Sequence, residues 1–139
     1  MSVIDDFKLS SNEKDKIESF QTLLTLTMNQ LKRIENASKP RVRENLIMDA
    51  QTFQDMWEEN FGKLYVQDNN KTVTKVADAV KSVTYLMVQG KKLHHYLDQE
   101  LKKVPEKELF RQQDLVAVRN FLESFIYGLE GLRNDLNKF

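Results

Sequence analysis

Residues 73–104 read VTKVADAVKSVTYLMVQGKKLHHYLDQELKKV. Within them Val73, Val76, Val80, Val83, Met87, Gly90, His94, Leu97, Leu101 and Val104 recur at alternating steps of three and four. That period is the stripe of a helix packed against other helices. The valines alone would favour a strand, but spacing and length decide for a helix from about Lys71 to Val104. At 1.5 Å per residue it is on the order of 50 Å long.

The same period extends outward in both directions. Pro105 stops the long helix, because the residue before a proline avoids helical angles. A fourth helix is expected from about Pro105 to Asn137, with Leu115, Val118, Leu122, Phe125, Leu129, Leu132 and Leu136 on its stripe. Gly128 and Gly131 weaken its last turns by about 1 kcal/mol each relative to alanine. Upstream, Ser10 precedes Glu13 by a capping-box interval and opens a first helix from about Ser11 to Ala37. Its seam is Ile17, Phe20, Leu24, Thr27, Leu31 and Ile34, broadened by Leu23 and Met28. Ser38, Lys39 and Pro40 interrupt the pattern, with proline suited to a first helical turn. The second helix, Pro40 to about Tyr65, presents Val42, Leu46, Ala50, Phe53, Trp57, Phe61 and Leu64, and Gly62 is placed to fray or kink its end. Asp68, Asn69 and Asn70 make a turn.

The predicted architecture is therefore all-α. It is an antiparallel four-helix bundle of long helices over residues 11–139, preceded by an arm, 1–10, carrying Val3, Ile4, Phe7 and Leu9. Connections of a few residues imply antiparallel neighbours, hence up-down-up-down topology. Two long hairpins that complete their cores by dimerising are the alternative.

Composition narrows the function classes. The 139 residues contain no cysteine, which removes disulfides, thiolate metal sites and cysteine nucleophiles and fits a cytoplasmic location, although some exported bacterial helical proteins also lack cysteine. Lys+Arg and Asp+Glu both number 21, for zero formal net charge. Broad nucleic-acid binding needs a positive surplus, as does general attraction to anionic membranes. The first ten residues carry Asp5 and Asp6 and no apolar core, so no secretory signal is expected. Apolar runs such as Tyr85 to Val88 are far too short to span a bilayer.

Catalytic inventory is thin. His94 lies on the seam, His95 about 100° from it, and Asp98 is within helical reach of both. Zinc needs at least three protein ligands, and neither His-Glu-x-x-His nor Glu-x-x-His occurs. His94 therefore reads as a seam histidine bonded to a neighbour, with no metal or cofactor expected. Gly90, mid-helix on the seam, marks close approach by a facing aromatic ring or, as the sharper alternative, a small pocket shared with His94. No Gly-x-Ser-x-Gly turn, phosphate-binding glycine loop or Walker lysine is present, so the chain is not expected to be an enzyme. Tyr96-Leu-Asp-Gln-Glu100 matches a Tyr-x-x-x-Asp/Glu pattern similar to the export signal of small helical proteins handled by bacterial type VII secretion. The Trp-x-Gly turn of that family is missing, since Trp57 precedes Glu58 and Glu59, so no family is assigned and Tyr96 reads as a flanking helix residue.

What remains is a protein-binding module, such as an adaptor, dedicated chaperone or stoichiometric inhibitor or immunity-type protein, that docks through an exposed helix face. The expected strip is Phe110, Val116, Phe121 and Ile126, because helix 4 has apolar residues enough for two faces. Leu23 with Met28, and Ile47 with Met56, are further candidates. The partner is another protein, with a second copy of the chain as the alternative. On this reading Phe121→Glu disrupts association while helicity stays near wild type. A nucleic-acid accessory role is the second reading, resting on Lys81, Lys91, Lys92, Lys102 and Lys103. Residues 71–104 hold seven lysines against three carboxylates, whereas residues 39–70 hold four basic groups against six acidic ones. The plainer account of that imbalance is pairing between helices and a solvated face. The Arg-aromatic interleaving of single-strand binders is absent.

Overall fold

The computed structural model describes residues 6–34, 40–64 and 73–138; the side chains of Pro40, Val42 and Arg43 fall outside that description. So do the expected features at Val3, Ile4, Ser38, Lys39, Asp68, Asn69 and Asn70. The fold is all-α, built from α1 (Ser11–Lys32), α2 (Pro40–Phe61), α3 (Val76–Lys103) and α4 (Leu109–Leu136). No described helix is long and apolar enough to cross a membrane.

Ser10 Oγ accepts from the Glu13 N–H at 3.2 Å while Glu13 Oε2 accepts from the Ser10 N–H at 3.0 Å, so the expected capping box is formed. Helix α1 stops at Lys32, short of Ala37, because the Arg33 carbonyl accepts from the Thr74 N–H at 2.9 Å and Ile34 bridges to Thr74. Helix α2 ends at Phe61 because Gly62 takes φ 105°, backbone that only glycine adopts without strain. The Glu58 carboxylate then accepts from the Leu64 N–H at 3.2 Å. Val104 is extended before Pro105, and the Glu108 N–H closes a tight turn onto the Pro105 carbonyl at 3.0 Å. That turn delays α4 to Leu109.

The bundle is antiparallel between every pair of neighbours, in the order α1, α2, α4, α3 around the core. Lys32 reaches Gln54 and Gln21 reaches the Lys63 carbonyl between α1 and the α2 end. Phe53 meets Phe125 and Phe61 meets Phe121 between α2 and α4. Asp98 meets Arg119 between α3 and α4, and Asn12 meets Tyr96 between α1 and α3. These registers make α2 and α3 parallel and diagonal, so the topology is up-down-down-up rather than the expected up-down-up-down. The cause is the connection 62–75. It returns from Lys63, beside Gln21, to Thr74, beside Arg33, about 18 Å along α1. The valine stripe hid its length by carrying the apolar period back to Val73.

Trp57 is completely buried at the centre, with ring centroids of Phe20, Phe61, Phe121 and Phe125 at 5.4, 4.6, 6.0 and 5.7 Å. Such aromatic pairs add stability beyond their buried area. Phe7 and Leu9 pack onto this core, and Lys8 N–H donates to Asp114 at 2.7 Å, which fastens the described part of the arm.

At the opposite end, burial and the neighbouring Asp135 carboxylate push Asp49 above its ordinary value. The folded chain thus holds that proton more tightly than the unfolded chain does. The resulting stability is present at low pH and is lost as pH rises through the raised value. Asp49→Asn is therefore expected to raise the melting temperature modestly at pH 7, with the two proteins converging below about pH 4. Thermal melts across that range check it; a constant difference at every pH would remove the carboxylate pair as the cause.

Candidate protein-docking face

The four residues of the expected helix 4 strip do not share a face. Phe110 is 75% exposed at the start of α4, and Val116 is half-buried. Phe121 stacks on Phe125 at 5.6 Å and meets Phe61 edge-on at 4.7 Å. Ile126 is buried, its Cγ1 only 3.1 Å from where a Cβ at Gly90 would stand. Helical geometry explains the dispersal, since Phe121 and Ile126 flank the seam on opposite sides while Val116 lies behind it. Phe121 and Ile126 widen the core contact, whereas Phe110 stays exposed. A glutamate at position 121 would lie among Trp57, Phe61 and Phe125, so its cost is expected in stability as well as in any association.

Gly90 is explained by the same contact. Ile126 and Phe20 fill the space a side chain would need, which is the close-approach reading, and neither Gly90 nor His94 lines a described cavity. His94 Nε2 stands 3.6 Å from a Glu123 carboxylate oxygen. Asp98 instead serves Arg119 at 3.0 Å and Lys102 at 3.8 Å. Among the described residues no three His, Asp or Glu side chains gather as a metal site. Tyr96 takes a hydrogen bond from Asn12 at 2.7 Å and carries Lys16 over its ring at 4.8 Å. Burial, followed by the nearby Glu100, raises its phenol above the ordinary value.

Lys81, Lys91, Lys92, Lys102 and Lys103 are all exposed on the side of α3 away from the core. Lys102 and Lys103 are engaged by Asp98 and Glu100 at 3.8 and 3.4 Å. Lys81, Lys91 and Lys92 have no ion-pair partner among the described residues.

The surface that sequence reasoning missed lies between α1 and α3. Leu26 and Tyr85, 57% and 54% exposed, line one groove of about 340 Å³ with Leu23, Leu86 and Lys81. An adjoining hollow of about 300 Å³ continues past Phe20, Leu93, Lys92 and Tyr96. A signal for it exists in the sequence. Tyr85, Gln89, Lys92 and Tyr96 step at three-four intervals along one flank of the α3 seam, as Leu23 and Leu26 do beside the α1 seam. No protein-family model matches this chain, and no curated protein or solved structure matches it either.

Proposed function

We propose that this chain is a non-enzymatic protein-binding module that docks its partner along the α1–α3 face. The observation that carries the reading is the pairing of Leu26 and Tyr85 over a common groove. Single exposed apolar side chains are ordinary, but two large ones over a shared hollow, rimmed by lysine, match the apolar centre and polar edge of a protein interface. An adaptor, a dedicated chaperone or a stoichiometric inhibitor would use such a face in the same way.

The test is affinity capture from the native host lysate, with and without nuclease, comparing wild type with Leu26→Glu/Tyr85→Glu. Both side chains are exposed, so circular dichroism of the double variant should match wild type. The expected result is a nuclease-resistant partner at near-equal stoichiometry, reduced at least about tenfold by the double variant. A partner held equally by both proteins would place the interface elsewhere, with Phe110 the next candidate. Recovery of nucleic acid alone would favour the second reading, which draws on the exposed Lys81, Lys91 and Lys92. A pure homodimer would make a second copy the partner.

A further inference from the structure

We infer that the occupant of the α1–α3 groove is an acidic amphipathic helix, an assignment that rests on the protein-binding reading above. Three hollows of about 300, 340 and 490 Å³ run end to end along this face. Leu23 borders the first two, and Gln30, Lys81 and Ser82 border the second and third, so they form one channel. It extends beside α1 from Lys16 to Arg33, about 26 Å at the helical rise.

Two properties of the channel select its ligand. In the first two hollows Leu23, Leu26 and Tyr85 stand over a buried floor of Phe20, Leu86 and Leu93, and that surface asks for a stripe of apolar side chains. The walls of the first two hollows are helices, which offer no strand edge to pair with an extended backbone. A ligand must therefore satisfy its own peptide groups, as a helix does.

Charge supplies the sign. Lys16 and Lys92 border the first hollow and Lys81 the second, and neither has a carboxylate in its lining. Asp78 appears only in the third, beside Arg33 and Lys81. Carboxylates flanking an apolar stripe would meet these lysines, speeding encounter and fixing register. A second copy presenting the same face would set lysine against lysine. A nucleic acid would leave the apolar floor unused.

The probe is a fluorescein-labelled peptide of about 18 residues, long enough for the channel, with leucines at helical three-four spacing and glutamate elsewhere. A counterpart has lysine for every glutamate. Anisotropy is read with the full chain. The acidic peptide should bind at least about tenfold more tightly than the lysine peptide and weaken as salt rises from about 50 to about 500 mM. Lys81→Glu/Lys92→Glu should reverse the preference, and Leu26→Glu/Tyr85→Glu should abolish binding of both. Equal binding, preference for the lysine peptide or indifference to the lysine substitutions overturns the inference. Absence of binding by either peptide, with lysate capture still dependent on Leu26 and Tyr85, also overturns it while leaving the docking face intact. Loss of that capture dependence would remove the face itself.

Discussion

Trp57→Ala is expected to cost about 3–5 kcal/mol, the range for emptying a buried aromatic site. Total stability for a domain is on the order of 5–15 kcal/mol, so the variant should melt about 10–15 °C lower, and a marginally stable chain would unfold. The size of the effect follows from position. Trp57 joins Phe20 of α1 to Phe121 and Phe125 of α4, so its removal opens a cavity shared by three helices. Four surrounding rings cannot close such a gap without leaving their own preferred geometry. Trp57→Phe is a sharper measurement. The indole N–H is buried and finds no acceptor among the described residues, so phenylalanine removes volume but also removes an unsatisfied donor. Denaturant unfolding followed by circular dichroism should show phenylalanine costing less than half as much as alanine. Equal losses would mean that the indole nitrogen has a partner, such as a buried water.

The second large effect is expected at Glu13, whose side chain is fully buried yet ionisable. One carboxylate oxygen closes the capping box on Ser10 and the other takes the Arg111 guanidinium at 2.8 Å. That hydrogen bond is the largest influence raising the affinity of Arg111 for its proton. Glu13→Ala removes the cap, worth about 1 kcal/mol, and strands Arg111 in a partly desolvated position. Breaking a fully buried pair costs about 3–5 kcal/mol. Arg111 keeps some solvent and has Glu108 at 3.4 Å, so the total for Glu13→Ala should be about 2–4 kcal/mol. Glu13→Gln/Arg111→Met retains an acceptor for the cap and removes both charges, and should recover most of the loss. Failure of the double variant to recover would show that the charges themselves, rather than the burial of one unpaired charge, hold the arm end together.

These residues also show how far the sequence could be read. Period and capping chemistry are local properties. The Ser10–Glu13 box and most of the seam residues follow from residues a few positions apart, and the described helices bury them, with Val73 the exposed exception. Connectivity is different in kind. A three-four stripe says which face is buried but not which way the helix runs, and Val73 continues the α3 stripe although it precedes the helix. Glu13 was visible as a cap but not as a buried ion pair, because Arg111 lies ninety-eight residues away. The placement of side chains around α4 depends likewise on partners distant in sequence. Phe121 and Ile126 look surplus beside a narrow seam, yet Gly90 lets Ile126 approach α3, and the ring of Trp57 draws Phe121 inward.

The returning connection has a consequence for anyone joining this chain to something else. An up-down-up-down bundle brings its two extremities side by side. Here the arm sits at Asp114 while α4 runs on to Leu136 and its last carbonyls. Lys8 and Lys138 therefore stand at opposite ends of the bundle, about 33 Å apart along α4, the rise of its twenty-two residues from Asp114 to Leu136. A circular permutant would have to span that distance with about ten extended residues in all between Lys138 and Lys8, with the turn at 105–108 as the natural place to cut. A donor and acceptor dye at positions 8 and 138 would act as a ruler for the whole bundle, reading a long separation here and a short one for an up-down-up-down arrangement.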